Sequence, residues 1–197
     1  MLVKAYSIPH DLEVNGLIED YMRISNSILD ELWKNIVWKR KDKRLIPILM
    51  KDKTFGKKLR DKYLEGWAYS KHYVDSAIKQ AYSVLESWRK GYLRGRAGRN
   101  RPELKRKFVR VKGTLYSYRN GILRISVKPY EESIDLRRAW CWDKVNGLDL
   151  GELILKQDSL IVTVRKEAGL KVEKPISWDT NLLDGYDGER HHSINLK

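Results

Sequence analysis

The 24-residue stretch from Arg89 to Lys112 concentrates positive charge in a pattern suited to binding phosphate groups. It holds eleven Lys or Arg residues and a single acidic residue, Glu103, and so supplies +10 of the formal net charge of +14. Cations this close together can neutralise several phosphates at once, and counterion release then makes binding salt-dependent. A solvated basic loop is the alternative, because surface charge alone is not specific. The candidate binding cations are Arg89, Lys90, Arg94, Arg96, Arg99, Arg101, Lys105, Arg106, Lys107, Arg110 and Lys112.

Aromatic residues lie among and just beyond these cations. Tyr92, Phe108, Tyr116 and Tyr118 are spaced so that they could stack on unpaired bases, which is how proteins often hold single strands. Phe108, Tyr116 and Tyr118 therefore join the candidate nucleic-acid-binding residues. An anionic membrane surface is a poorer partner, because scattered glycines leave no continuous apolar face for an interfacial helix. The pattern predicts RNA, DNA or both as the partner.

Other chemistries find little support in the composition. Cys141 is the only cysteine among 197 residues, which excludes an internal disulfide framework and a cysteine-based zinc site. The four histidines have no evident nucleophile or metal partner, and we expect no cofactor bound by this chain. The first ten residues lack a signal-peptide pattern, and no long uninterrupted apolar run follows. These features predict a cytoplasmic protein without a membrane span.

Three helical patterns precede or adjoin the basic stretch and must position it. The first has apolar residues every three or four positions after Asn15, a predicted N-cap, and we expect Lys39 to Arg44 to end it with positive charge. The third begins near Val74, reaches Trp88 and is broken by glycines. The predicted helices cover residues 17–36, 52–69 and 74–88.

Strand patterns lie on both sides of the helices. A short strand at residues 2–8 opens the chain, and Asn120-Gly121 separates two runs typical of a type I′ hairpin. A second hairpin is predicted at residues 152–156 and 160–166, with further strands near Ile134 and at 176–178. Pairing of the first strand with the later ones predicts an α+β fold, a small antiparallel β-barrel with an inserted helical bundle.

The order of four segments resembles the N-terminal part of OrfB/TnpB-type proteins, transposon-encoded RNA-guided nucleases related to type V CRISPR effectors. The segments are the helix Tyr73–Trp88, the basic Lys105-Arg-Lys-Phe-Val-Arg110, the hairpin Tyr118–Ile125 and Pro175–Gly188, which is similar to the first strand of a RuvC nuclease domain. The resemblance implies a wedge-like barrel at 1–10 and 113–172, a helical recognition lobe at 11–112 with a basic linker at 89–112, and the start of a truncated RuvC-like domain at 173–197. Both larger parts would grip a guide RNA and its duplex with DNA.

The resemblance also implies a metal-dependent nuclease, but this chain matches only one of its carboxylates. RuvC-type cleavage needs several carboxylates holding divalent cations, Mg²⁺ in the intact family. Asp179 is the isolated match, whereas Asp149, in a similar short motif, is interpreted as a turn residue. We therefore expect no complete catalytic site and no cleavage by this chain alone. A double-stranded DNA-binding regulator, or a subunit that completes a nuclease with a missing C-terminal half, are the alternatives.

Overall fold

The helices and strands below come from a computed structural model that describes residues 2–41, 44–129, 132–137, 142–145, 147–166, 177–178, 184–186 and 191–193. The helices are α1 (Asn15–Lys34), α2 (Lys53–Leu64), α3 (Lys71–Leu93) and the single turn α4 (Trp142–Val145). The strands are β1 (Leu2–Pro9), β2 (Val37–Lys41), β3 (Arg44–Ile48), β4 (Val109–Val111), β5 (Tyr116–Arg119), β6 (Ile122–Lys128), β7 (Glu132–Arg137), β8 (Asp149–Leu150), β9 (Leu153–Leu155), β10 (Ser159–Lys166), β11 (Ser177–Trp178), β12 (Asp184–Tyr186) and β13 (His191–Ser193).

Contacts within the chain divide it into two compact units. Residues 3–166 form the larger unit, and residues 1–2 with 167–197 form the smaller one. Among the described residues, no helix combines the length and the apolar character needed to span a membrane.

Helices α1 and α3 pack against each other and bury the apolar stripes that the sequence predicts. Tyr21, Ile28 and Leu29 of α1 and Val74 and Leu85 of α3 are fully or almost fully buried. Their three- and four-residue spacing places them on one face of each helix, so burial of that face stabilises both. The three predicted helices are thus present. The prediction of Asn15 as the N-cap is wrong, because Asn15 is the first helical residue and Val14 occupies the N-cap position without a side-chain hydrogen bond.

Two contacts fix the start of α3 on strand β6. The Tyr73 hydroxyl donates to the Ser126 carbonyl at 2.8 Å, and the Ser70 amide donates to the Val127 carbonyl at 3.1 Å. Burial raises the pKa of Tyr73 well above its ordinary value, so this hydroxyl remains a donor at every physiological pH. The position of α3, and of the segment that follows it, is therefore set by the neighbouring sheet.

Helix α1 ends earlier than its apolar period predicts. Asn35 stops it, because the Asn35 side-chain amide donates to the Glu31 carbonyl at 2.8 Å. The prediction that residues 39–44 form the cationic end of this helix is wrong, since β2 and β3 pair there as an antiparallel hairpin. The run Leu45-Ile46-Pro47-Ile48 contains β-branched residues typical of strands, and this pattern could have indicated the hairpin from the sequence.

Helix α3 extends past Gly91 and ends in a Schellman motif. The Gly95 amide donates to the Tyr92 carbonyl at 3.0 Å and the Arg96 amide donates to the Gly91 carbonyl at 2.9 Å. Gly95 has φ of 71°, the left-handed conformation that this motif needs and that glycine adopts without strain. Gly95 rather than Gly91 is therefore the residue that terminates the helix.

The main sheet has five strands and joins the two ends of the larger unit. Its order is β1-β10-β9-β4, with β8 also paired to β10. Pairing of the N-terminal strand with a late strand, and the antiparallel hairpin of β9 with β10, are as predicted. Asp149 is the first residue of β8 and lies opposite Arg165, so the interpretation of Asp149 as a turn residue is wrong.

The described sheets do not form the predicted barrel, although the α+β class with antiparallel sheets is confirmed. Strands β5, β6 and β7 pair with one another in a separate three-stranded sheet, and no described sheet closes on itself. The turn between β5 and β6 has φ of 51° at Asn120 and 74° at Gly121, as a type I′ hairpin requires. These three strands therefore form a sheet of their own and are not part of the main sheet.

The smaller unit contains an antiparallel sheet of β11, β12 and β13. A strand was predicted at residues 176–178, and β11 confirms it for residues 177 and 178. Asp179, the predicted metal-binding carboxylate, lies outside the described residues, as do Trp140 and Cys141.

Candidate nucleic-acid interface

A basic loop, residues 94–108, connects α3 to β4 and is attached to both long helices. The Trp88 indole nitrogen donates to the Gly98 carbonyl at 3.0 Å. Asn26 of α1 makes two hydrogen bonds to Leu104: its amide group donates to the Leu104 carbonyl at 3.2 Å, and its side-chain oxygen accepts from the Leu104 amide at 3.1 Å. These contacts determine which side chains of the loop face solvent.

Seven of the eleven predicted cations are exposed, and we call them the outward cations. Within the described part of the chain, none of them forms a salt bridge with a carboxylate, so their charges are available to a ligand. The outward cations are Lys90, Arg94, Arg96, Arg99, Lys105, Arg106 and Lys107.

The other four, which we call the inward cations, are half-buried, and three of them contact other groups of the protein. Arg89 donates to the Pro47 carbonyl at 2.8 Å, and Arg101 lies 3.7 Å from Asp30. Arg110 forms a salt bridge with Glu152. Burial lowers the pKa of Lys112, which is half-buried beside this pair. The inward cations are Arg89, Arg101, Arg110 and Lys112.

Glu152, between β8 and β9, is the centre of a small charge network. It accepts hydrogen bonds from Arg110 and, at 2.7 Å, from the ammonium group of Lys79. Burial alone would raise the pKa of Glu152, but the hydrogen bonds from Lys79 and Arg110 outweigh it and the pKa is lowered. Glu152 is therefore ionised at neutral pH, and Arg110 serves the fold.

The predicted stacking residues are only partly available. The Tyr116 hydroxyl shares its one proton between the carbonyls of Leu150 and Gly151, at 3.0 and 2.8 Å, and its half-buried ring packs against the core. Burial raises the pKa of Tyr116 above its ordinary value. Phe108 and Tyr118 are also half-buried. Tyr116 therefore serves to join β5 to the main sheet.

An aromatic cluster that the sequence did not predict lies at the start of the basic loop. Trp88 stacks on Tyr92 with ring centroids 5.5 Å apart, and Trp38 of β2 contacts both rings edge-on. The guanidinium of Arg99 lies over the Trp38 ring, 4.6 Å from its centroid. The cluster joins the hairpin of β2 and β3 to the loop.

The hairpin adds cations that sequence reasoning placed on a helix end. Four of its described basic residues are exposed: Lys39, Arg40, Lys41 and Arg44. A groove of about 780 Å³ separates the hairpin from the end of α3. Its described lining comprises Lys41, Arg44, Leu45 and Ile46 on one side and Tyr92, Leu93, Arg94, Gly95 and Ala97 on the other. The groove is thus built from two segments that are distant in sequence.

Metal-dependent chemistry has no site among the residues that the structure describes. Within them, no three His, Cys, Asp or Glu residues come together in a group that could hold a metal ion.

Residues 17–126 match a family of proteins described as the uncharacterized protein MJ0013 family. The protein MJ0013 of Methanocaldococcus jannaschii is 41% identical over an alignment of 147 residues, and the alignment covers 65% of this chain and 91% of that protein. The chain belongs to the MJ0013 family. The part of this family member that matches runs from α1 into β6 and includes the whole basic loop, the hairpin and the groove between them.

A second relative of this MJ0013-family chain is the TnpB-like protein MJ1635 of the same organism. It is 36% identical over an alignment of 168 residues that covers 83% of this chain. The chain spans about 40% of the length of that relative. The TnpB-type relationship that the four sequence segments predict is therefore confirmed.

Proposed function

We propose that this chain is the nucleic-acid-binding part of a TnpB-like protein, with guide RNA, its duplex with DNA, or both as the ligand. The observation that carries the proposal is the set of outward cations at the end of α3 and on the loop that follows it, together with the exposed cations of the β2–β3 hairpin. Such a surface contacts phosphates, and it would leave sequence specificity to base pairing within the nucleic acid.

The proposal assigns different tasks to different parts of the chain. Residues 11–112 form the recognition part, with the linker at 89–112, and the β-strand regions at 1–10 and 113–172 support it. Residues 173–197 are the start of a RuvC-like domain, in which Asp179 is the first catalytic carboxylate. The inward cations, although part of the basic segment, hold the linker in place, whereas the outward cations bind phosphate.

We further propose that these residues bind nucleic acid without cutting it. The carboxylates needed for two-metal cleavage would belong to a further nuclease portion, which binds Mg²⁺ and uses Asp179 when the two parts combine. Cleavage by this chain alone in the presence of Mg²⁺, lost in Asp179→Ala, would contradict this part of the proposal.

The first test is to purify the chain from cells without nuclease treatment and to sequence whatever nucleic acid stays bound. Fluorescence anisotropy would then compare a structured RNA, an RNA–DNA duplex and a DNA duplex of equal length over a range of salt. The proposal expects a discrete RNA in the purified sample, and tighter binding of RNA or the RNA–DNA duplex than of DNA. Preference for the DNA duplex would instead favour a DNA-binding regulator.

A further inference from the structure

The groove between the β2–β3 hairpin and the end of α3 combines apolar and cationic side chains in one place. Leu45, Ile46 and Leu93 provide apolar surface, and Leu93 is 39% exposed, which is high for a leucine. Lys41, Arg44 and Arg94 surround that surface and are all exposed. Among the described residues that line the groove, none is acidic.

This combination matches the chemistry of a nucleotide. A base is a flat and largely apolar group, whereas the phosphates on either side of it are anions. The ring of Tyr92 lines the groove as well, and its stacking on Trp88 holds it in place. Aromatic and apolar surfaces take up any base, because every base has a π-face.

The C-terminal end of α3 repels an anion less strongly than a helix end with unpaired carbonyls would. The carbonyls of Lys90, Gly91 and Tyr92 already accept hydrogen bonds from the backbone amides of residues 94–96. Since these carbonyls are satisfied, the partial negative charge of the helix terminus is reduced, and the side chain of Arg94 adds positive charge at the same place.

The size of the groove selects among nucleic-acid ligands. Pockets for small ligands have volumes of about 300 to 1,000 Å³, and the groove falls within that range at about 780 Å³. A groove of this size suits one or two nucleotides. A double helix has its bases paired and stacked inside, and it would present only its backbone to the outward cations.

We propose that this groove holds an unpaired nucleotide of the bound RNA, with its base on Leu45, Ile46 and Leu93 and its flanking phosphates on Lys41, Arg44 and Arg94. The inference rests on the proposed function, since it specifies what the same surface binds. It predicts that bases, and not only phosphates, contribute to binding. It also predicts little sequence preference at this position.

The test compares an oligouridine with an abasic ribose-phosphate polymer of the same length and charge, at one salt concentration. Anisotropy titrations would use the wild-type chain and Leu93→Ser, with Val3→Ser as control, because Val3 is 59% exposed on β1, away from the groove lining. Circular dichroism would verify that each variant is folded.

We expect the wild-type chain and Val3→Ser to bind oligouridine about tenfold more tightly than the abasic polymer. Leu93→Ser should lose most of that difference while its affinity for the abasic polymer stays the same. Equal binding of the two polymers by the wild-type chain would overturn the inference while leaving the proposed function intact. A base-dependent difference that persists in Leu93→Ser would also overturn it, and failure to bind any RNA would overturn both proposals.

Discussion

The outward and inward cations come from one continuous segment of sequence but have different surroundings. Arg94, Arg96 and Lys107 are exposed and form no salt bridge within the described part of the chain. Arg110 and Arg101, in contrast, lie within salt-bridge distance of carboxylates. A count of charges along the sequence therefore overstates the exposed positive charge, because four of the eleven cations are half-buried.

The comparison also shows that the useful positive surface extends beyond the basic segment. Lys41 and Arg44 belong to the hairpin, yet they line the same groove as Arg94. Some cations of the basic segment are thus paired with carboxylates of the protein. Other exposed cations come from the hairpin, about 50 residues earlier in the sequence.

The largest effect should come from removing outward charges. Replacing Arg94, Arg96, Lys105 and Lys107 with Gln should weaken RNA binding on the order of 100-fold and flatten the salt slope by about three for a single strand. The reason is that four phosphate contacts, each with its released counterion, are lost. Anisotropy titrations over a range of salt would measure both quantities.

The matched control removes the same charge from another face. Lys53, Lys57, Lys58 and Lys71 are exposed on α2 and α3, and their replacement with Gln lowers the net charge equally. If this control weakens binding as much as the loop variant, attraction by overall charge accounts for binding and the outward cations have no special role.

The next effect should come from Arg110, an inward cation, and should be on stability. Arg110→Met removes the partner of Glu152 but keeps apolar contacts, and we expect the free energy of unfolding to fall by about 1–2 kcal/mol. Urea unfolding would measure this. RNA affinity of the folded variant should be unchanged, and a flatter salt slope would show instead that Arg110 contacts phosphate.

A smaller effect should follow from releasing the loop. Asn26→Ala removes both hydrogen bonds to Leu104, and we expect a loss of about 1 kcal/mol of stability with faster amide hydrogen exchange at Leu104. RNA binding should weaken about threefold, because the free loop must then be ordered when RNA binds and this ordering reduces the binding free energy. Asn100→Ala, at an exposed loop position, is the control, and equal exchange rates in the two variants would contradict the role of Asn26.

The smallest effect concerns pH. The pKa of Glu152 in the folded chain is below its ordinary value of 4.5, so its stabilising contribution is complete above that pH and is lost as the pH falls through the folded-state pKa. Glu152→Gln should therefore be less stable than the wild type at neutral pH, with a smaller difference at about pH 3. Urea unfolding at both pH values would measure it, and a difference that grows in acid would contradict the sign.

Local patterns predicted much of this fold. The three helices followed from apolar spacing. The hairpin followed from Asn120-Gly121, because these two residues readily adopt the left-handed backbone that a type I′ turn requires. The β2–β3 hairpin was missed because apolar spacing continues to Ile36, so that local periodicity could not show the stop that Asn35 makes. The open sheets were missed because strand patterns do not specify which strands pair.

The sequence predicted where charge concentrates, but not which of these side chains the fold exposes. The sequence placed positive charge and aromatic residues at 89–118, and the exposed loop lies there. Tyr116 was predicted to stack on bases, but its hydroxyl binds backbone carbonyls that belong to residues more than 30 positions later. Partners of this kind are brought near only by folding.

The sequence by itself determined the helices, the type I′ turn and the concentration of charge, because each depends on neighbouring residues and on backbone preferences. Only the tertiary structure decided which cations are free to bind a ligand. That choice depends on residues far apart in the chain, such as Arg110 and Glu152, which are 42 positions apart, and on the hairpin that forms one side of the groove. Charge is a property of the residue, but its availability depends on which groups surround it in the fold.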